Sequence, residues 1–304
     1  MDNWFTIEQI DRDTFSISEY KHWEETHCYL LCGEKYAVLI DTGLGVSNIR
    51  KIVDSLTELP VVAVTTHVHW DHIGGHKYFD NIAVHEAEKD WLSVRFPIPL
   101  QVVKNNLTRL PCDFPRDFDI NAYQIFQGMP QRILHDGNFL NLGGREIQVI
   151  HTPGHSPGHC CFYEPERNYL YSGDLIYKGS LDAFYPTTDP HLFYQSIRRI
   201  RKYNIKATPH KCNDTHCRIA ILWKAIGLPR TFARKSALTQ AARQGLSARI
   251  RFANANMMLN LAPCFSSPRY RVFRKRSCFL TTPNTCSTFA RTEDFACSAF
   301  FAAY

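Results

Sequence analysis

Residues 65–75 read Thr65-Thr66-His67-Val68-His69-Trp70-Asp71-His72-Ile73-Gly74-Gly75. Three histidines and an aspartate are concentrated between positions 67 and 72. The run before them, Val61-Val62-Ala63-Val64-Thr65-Thr66, is apolar and β-branched, the pattern of a buried strand. The glycines after them permit close or unusual backbone geometry. Four side chains with metal-ligand chemistry on a loop at a strand's end look like half of a dinuclear metal centre. A short loop can aim His67 and His69 to one side and Asp71 and His72 to the other, so that one segment serves two ions. Imidazole nitrogen suits zinc, iron or manganese, and a carboxylate adds a hard, anionic ligand. A single histidine is usually a hydrogen-bonded loop residue, but His-x-His-x-Asp-His after a strand fits a metal site far better.

Three later positions extend the set. Gln148-Val149-Ile150-His151-Thr152-Pro153-Gly154-His155-Ser156-Pro157-Gly158-His159 is a strand running into a tight Pro/Gly-rich turn, which holds a ligand rigidly. His151, His155 and His159 compete there, and spacing alone does not choose among them. Tyr169-Leu170-Tyr171-Ser172-Gly173-Asp174 is a short aromatic strand ending in Gly-Asp, so Asp174 projects from a strand end. Lys206-Ala207-Thr208-Pro209-His210 offers a last histidine after another short strand.

Together these residues resemble the metallo-β-lactamase superfamily of hydrolases. The matching features are Asp41 in Val38-Leu39-Ile40-Asp41-Thr42-Gly43, the His67–His72 cluster, His155 in Thr-Pro-Gly-His-Ser, Asp174 in Ser-Gly-Asp, and His210. They occur in the family's order across roughly residues 1–212. The resemblance implies that His67, His69 and His155 bind a first metal and that Asp71, His72 and His210 bind a second. It implies a bridging role for Asp174, with Asp41 orienting ligands by hydrogen bonding. His151 and His159 then become structural or lining residues. The family usually reads Pro-Gly-His at the last ligand, whereas here Pro209 directly precedes His210.

The implied chemistry is that of a dinuclear metal-dependent hydrolase. Two divalent ions about 3.5–4 Å apart lower the pKa of a shared water, so that a bridging hydroxide attacks the electrophile. Asp71 is the expected catalytic residue, orienting the nucleophile and shuttling its proton. Zinc is the expected metal, with iron or manganese compatible with the same donors. The implied substrate is a thioester or ester, as in glyoxalase II and acyl-CoA thioesterase relatives. The alternatives are a lactonase or phosphodiesterase on the same centre, or an inactive scaffold whose basic tail binds nucleic acid. Tyr177 and Lys178, just after Asp174, are candidate substrate contacts, with Lys178 suited to an anionic group.

Charge divides the chain in two. Residues 1–214 carry 21 Lys/Arg against 27 Asp/Glu, while residues 215–304 carry 14 Lys/Arg against only Glu293 and Asp294. The overall formal charge of +6 is therefore no argument for nucleic acid, which is not an expected partner of the acidic front part; a small-molecule substrate is. No histidine follows His216. Residues 213–304 have two readings. One is a basic arm for nucleic acid or an anionic membrane face, including Arg269-Tyr270-Arg271-Val272-Phe273-Arg274-Lys275-Arg276. The other is an atypical tail, poorly ordered, of the kind a reading-frame shift near residue 210 produces. The second is preferred, because the acid-free stretch begins close to where the resemblance stops. The expected division is a hydrolase domain over 1–212 and a tail over 213–304, with a helix at 217–226.

Periodicity places strands at 14–18, 26–32, 36–40, 61–66, 147–151, 159–164 and 169–172, and helices at 46–56, 85–94 and 191–203. His135-Asp136-Gly137-Asn138 is a turn between strands. Strands followed by a helix, twice over, suit two mixed sheets packed face to face with helices outside. The resemblance names this α+β arrangement as the four-layer αββα sandwich. The loop at 19–25 is expected to overhang the metals. The Pro- and Phe-rich insertion at 95–132 either caps an apolar cleft or packs against the sandwich edge. The eleven cysteines contain no Cys-x-x-Cys pair, Cys160 and Cys161 read as small buried strand residues, and no apolar run reaches membrane-spanning length. The opening Met1-Asp2-Asn3-Trp4 begins no signal peptide, so a cytoplasmic protein with reduced thiols is expected.

Overall fold

Several strands of this chain are apolar on both faces, so their sheets must be covered from two sides. The computed structural model describes residues 4–177, 179–182, 186–205, 248–251 and 257–261. A seven-stranded sheet runs in chain order: β1 (Thr6–Asp11), β2 (Thr14–Ser18), β3 (His27–Cys32), β4 (Ala37–Ile40), β5 (Val61–Val64), β6 (Ile82–His85) and β7 (Arg132–Leu134). Its first four strands pair antiparallel, and β4 to β7 pair parallel. An antiparallel four-stranded sheet has the order β11-β10-β9-β8, comprising β8 (Phe139–Asn141), β9 (Glu146–His151), β10 (Cys160–Glu164) and β11 (Tyr169–Tyr171). The helices are α1 (Ile49–Leu56), α2 (Trp70–Ile73), α3 (Lys89–Ser93), α4 (Leu100–Leu107) and α5 (Pro190–Ile200).

The layers follow from side-chain alternation. Tyr29, Leu31, Val38, Ile40 and Val64 of the large sheet meet Leu140, Ile147, Val149, Phe162 and Tyr171 of the small one, forming the buried core between the sheets. Leu30, Leu39 and Ala63 point the opposite way and pack against Ile49 and Val53 of α1. On the far side, Ile150, Cys161 and Leu170 pack against Phe193, Ile197 and Ile200 of α5. The order is helix, sheet, sheet, helix, the expected αββα sandwich. The predicted turn at residues 135–138 carries the chain from β7 in one sheet to β8 in the other.

Capping sets the helix ends. The Asn48 side chain accepts the Arg50 amide at 3.0 Å, so α1 starts at Ile49 rather than near residue 46. Asp189 accepts the amides of His191 and Leu192, and Pro190 occupies the first turn of α5, where its missing amide costs nothing. His85 closes β6 rather than opening a helix; a short 3-10 turn over Glu86–Glu88 leads into α3.

The insertion at 95–132 contains α4 and packs against the sandwich edge. Val103, Leu107 and Tyr123 share a buried cluster with Trp4, Leu44, Val46 and Trp70. The loop at 19–25 is tied to this insertion, because His22 Nε2 lies 2.9 Å from the Leu107 carbonyl and Trp23 Nε1 donates to the Asn106 carbonyl at 3.0 Å. A third sheet has the order β12-β14-β13, in which β12 (Gly179–Asp182) pairs parallel with β14 (Met257–Leu261), and β13 (Ala248–Arg251) pairs antiparallel with β14. The rest of 213–304, including the helix expected at 217–226, lies outside the described residues. Among the described residues no helix is long and apolar enough to cross a membrane, and Cys28, Cys32, Cys112, Cys160 and Cys161 are all free.

One buried cation pins the two sheets together. Arg145, at the entry to β9, donates to the Asp13 carbonyl and the Thr14 hydroxyl of the large sheet, and to Glu164 of β10, all at 2.8 Å. Removing one member of a buried ion pair leaves the other uncompensated, typically at ~3–5 kcal/mol. Arg167 also pairs with Glu164, so Arg145→Met should lose ~3 kcal/mol of unfolding free energy, at the lower end of that range. Urea unfolding of the variant beside the parent checks this.

Candidate metal centre

The site is assembled where strands end. His67 and His69 lie on the loop leaving β5, and Asp71 and His72 lie on the single turn of α2. His155 comes from the loop joining β9 to β10, and Asp174 from the short turn after β11. The loop geometry depends on glycine at two places. A Cβ on Gly74 would lie 2.3 Å from the Leu44 backbone, so the α2 turn can lie against residues 44–45 only without one. Gly173 has φ +48°, and a Cβ there would lie 2.9 Å from both His159 Nε2 and Thr66 Cβ.

Six of the expected residues converge. His69 Nδ1 lies 3.0 Å from His67 Nε2 and 3.1 Å from His155 Nε2. Asp174 Oδ2 is 3.3 Å from His155 Nε2 and 3.9 Å from His67 Nε2. Its other oxygen, Oδ1, is 3.4 Å from His72 Nε2, which is itself 3.4 Å from Asp71 Oδ2. His67, His69 and His155 could hold a metal ion, as could His67, His72 and Asp174. Donors on a tetrahedral ion with bonds of about 2.0–2.1 Å lie roughly 3.3 Å apart, close to these separations. The donor set therefore fits a divalent cation.

Asp41 fixes which nitrogen faces inward. Its Oδ1 accepts the Thr66 amide at 2.7 Å. Its Oδ2 accepts the Thr66 hydroxyl at 2.7 Å and pairs with His72 Nδ1 at 2.8 Å. His72 Nδ1 must therefore carry a proton, so that Nε2 is the nitrogen turned toward the site, where a cation would take the place of its proton. Because Thr66 has donated its hydroxyl proton to Asp41, it accepts from His67 Nδ1 at 3.0 Å and fixes that ring in the same way. Asp41 does this from a left-handed conformation, φ +59°, which costs an L residue about 1–2 kcal/mol and is offset by these hydrogen bonds.

Electrostatics agree with the geometry. Burial, reinforced by His72, holds His67 well below the ordinary histidine pKa, and burial holds His69 down to about 3. Both rings are neutral and can ligate. Burial also favours neutral His72, but Asp71, Asp41 and Asp174 outweigh it and raise its pKa well above the ordinary value. Burial opposes ionisation of Asp174, yet His72 and His155 hold its carboxyl well below the usual range. Three carboxylates facing one buried imidazole make a negative pocket that a cation would neutralise.

Other members were not distinguishable in the sequence. His159, read there only as structural or lining, accepts the Asp174 amide on Nε2 at 3.1 Å and pairs with the Thr152 hydroxyl through Nδ1 at 2.8 Å, so it sets the Asp174 backbone. His151 instead stacks on His85 with ring centroids 4.0 Å apart. Buried Glu19 accepts Trp4 Nε1 at 2.7 Å and the Leu44 amide at 2.8 Å. His76 bridges the hydroxyls of Thr42 and Thr65 at 2.7 Å each, bracing the loop behind the cluster. The one available signal for His76 was its closeness to the cluster, which does not separate a ligand from a brace. Cys160 and Cys161 are fully buried strand residues, as expected, with burial raising both thiols. Tyr177 is partly buried against the α5 cluster. Lys178 and His210 lie outside the described residues.

The family model of the metallo-beta-lactamase superfamily matches residues 23–206, a span that contains the whole of this cluster. The acyl-coenzyme A thioesterase MBLAC2 of Homo sapiens is 34% identical over 201 residues, covering 60% of this chain and 70% of that protein. The hydroxyacylglutathione hydrolase GloC of Haemophilus influenzae is 28% identical over 174 residues, covering 54% of this chain and 73% of that protein. A metallo-beta-lactamase from Pontibacter korlensis shares the fold with a TM-score of 0.50 at 19% identity, covering 67% of this chain and 89% of its own. The chain belongs to the metallo-beta-lactamase superfamily and is a metal-dependent hydrolase.

Two substitutions probe the supports. Asn tolerates the left-handed conformation of residue 41 but replaces one of its acceptor oxygens by a donor. Asp41→Asn should therefore weaken metal binding by about 10–100-fold, as read by competition with a chromogenic chelator. Burial holds the His76 pKa down to about 3 against an ordinary value of 6.5. Its stabilisation is complete above 6.5 and is lost progressively as pH falls from there toward 3, because only the unfolded chain takes up the proton. His76→Gln should flatten the fall in stability over pH 6–4 by up to ~1.4 kcal/mol per pH unit, measured by urea unfolding across that range.

Proposed function

We propose that this protein is a dinuclear hydrolase of thioesters. In this reading His67, His69 and His155 would hold one divalent ion, Asp71, His72 and His210 would hold a second, and Asp174 would serve both. The observation that carries it is the orientation of Asp174, whose Oδ2 faces His155 while Oδ1 faces His72. Zinc suits the imidazole-rich donor set, with iron or manganese as the other candidates. When bound, two such ions polarise a scissile carbonyl and bring the pKa of water down to about 7. The hydrolase domain spans 1–212, and 213–304 is an atypical basic tail.

The chain's own residues do the rest. Asp71, 7% exposed at the head of α2, orients the attacking water and takes up its proton. Asp41 and Thr66 keep His72 and His67 in the tautomers that face the ions. His159 holds the Asp174 backbone, so that both carboxylate oxygens stay aimed at the two halves. Trp70, beside Asp71, packs in the cluster formed with the insertion and walls this flank against solvent. Tyr177 and Lys178, three and four residues after Asp174, are the candidate substrate contacts. Similarity to a protein named as an acyl-coenzyme A thioesterase favours a thioester over an ordinary ester.

Metal analysis of the purified full chain should give close to two ions per molecule, with turnover of a small acyl thioester abolished by chelation and restored by zinc. Negligible thioester turnover beside strong lactone or phosphodiester turnover would replace the substrate class and leave the metal site standing. His210→Ala should lower metal content toward one ion per chain. An unchanged content of two would remove His210 from the ligand set.

A further inference from the structure

His67 and His69 leave the large sheet, while His155 hangs from the small one, and their nitrogens meet only if the two loops keep a fixed spacing. One side chain spans that gap. Glu88, in the short turn after β6, is fully buried, with 0% of its surface exposed. Its Oε2 accepts the Val68 amide at 2.6 Å, and its Oε1 accepts the Gly158 amide at 2.8 Å. Val68 lies between His67 and His69, and Gly158 lies three residues beyond His155 on the same tight turn. Each carboxylate oxygen therefore grips the backbone of a different ligand loop. A buried carboxylate carries a large desolvation penalty and is retained only where it is paired or hydrogen-bonded. The Val68 and Gly158 amides, with the nearby Ser156 hydroxyl, meet much of that need, although burial still holds the Glu88 pKa above the usual carboxylate value.

We propose that Glu88 is a positioning residue that staples the two metal-ligand loops together and sets the spacing of His67 and His69 from His155. This rests on the reading of those three histidines as ligands of one ion. Glu88 touches neither metal nor substrate; it acts through the backbone. Only an acceptor at both ends can do this. A glutamine keeps the shape but offers one oxygen and one NH2 group, so one of the two amides would face another donor. The loop so released would move its histidine, and zinc affinity should fall while substrate contacts made elsewhere stay in place.

Glu88→Gln and Glu88→Asp test this, with zinc affinity read by chelator competition and with melting temperature measured in chelator and in excess zinc. The expected result for Glu88→Gln is about 10–100-fold weaker zinc binding, the usual effect of losing a group that orients ligands. The rise in melting temperature on adding zinc should shrink accordingly, since that increment follows zinc affinity. Glu88→Asp keeps both acceptors on a shorter arm and should fall between Glu88→Gln and the parent. An equal loss of melting temperature with and without zinc, at unchanged zinc affinity, would make Glu88 a purely structural residue and overturn the proposal. If neither variant folds, hydrogen exchange in the metal-free parent decides. Slow exchange at both the Val68 and Gly158 amides is expected, and rapid exchange at either overturns the staple. A parent that binds no zinc at all would instead defeat the ligand reading beneath it.

Discussion

A carboxylate that never meets the reacting atoms organises this site. Asp41 sits where β4 ends, beside the loop that leaves β5, and accepts three hydrogen bonds from that loop. Without it, His72 Nδ1 keeps only the longer 3.4 Å contact with the Thr66 hydroxyl, and Thr66 is free to turn its hydroxyl proton toward His67. The parallel pairing of β4 with β5 places the two strand ends side by side. The left-handed backbone at Asp41 then swings its side chain across. Sheet topology is thereby converted into a proton inventory: which imidazole nitrogens carry hydrogen, and which present a lone pair.

Polar groups also support one another outward from the centre. Thr66 serves Asp41 and His67, Thr42 and Thr65 share His76, and Thr152 serves His159. A hydroxyl can accept and donate, as Thr66 does between His67 and Asp41, so buried histidines are satisfied without being charged. That explains how many imidazoles pack closely without protonated rings repelling one another. The exception is His72, where three carboxylates gather. There the pocket has an excess of negative charge, as a cation site requires.

Much of this was legible in advance. The β-branched run before His67 marked β5, the Gly-Asp after an aromatic run marked the turn that carries Asp174, and the family resemblance implied the sandwich. What could not be read lies in long-range partnership. Glu88 in His85-Glu86-Ala87-Glu88 looks like any acidic residue at a helix start, and nothing local says that its oxygens reach amides 20 and 70 residues away. His151, His155 and His159 share one short stretch; only the fold shows one converging with His67, one stacking on His85 and one holding the Asp174 amide. Arg145 is similar, because its sheet-bridging role depends on residues more than a hundred positions earlier. Element boundaries shifted for a simpler reason, since caps such as Asn48 decide where a helix begins and hydrophobic periodicity does not register them.

The separation between His69 and His155 has a mechanical meaning. These two nitrogens lie 3.1 Å apart in space but 86 residues apart in sequence. An ion gripped by both would act as a crosslink, closing a long loop in the way a disulfide does. Crosslinks of that span withdraw on the order of 4–5 kcal/mol of chain entropy from the unfolded state. The docking of the two sheets and the filling of the site then become one cooperative event. Starving the protein of metal would therefore lower the stability of the sandwich as a whole, by an amount set by a loop of 86 residues.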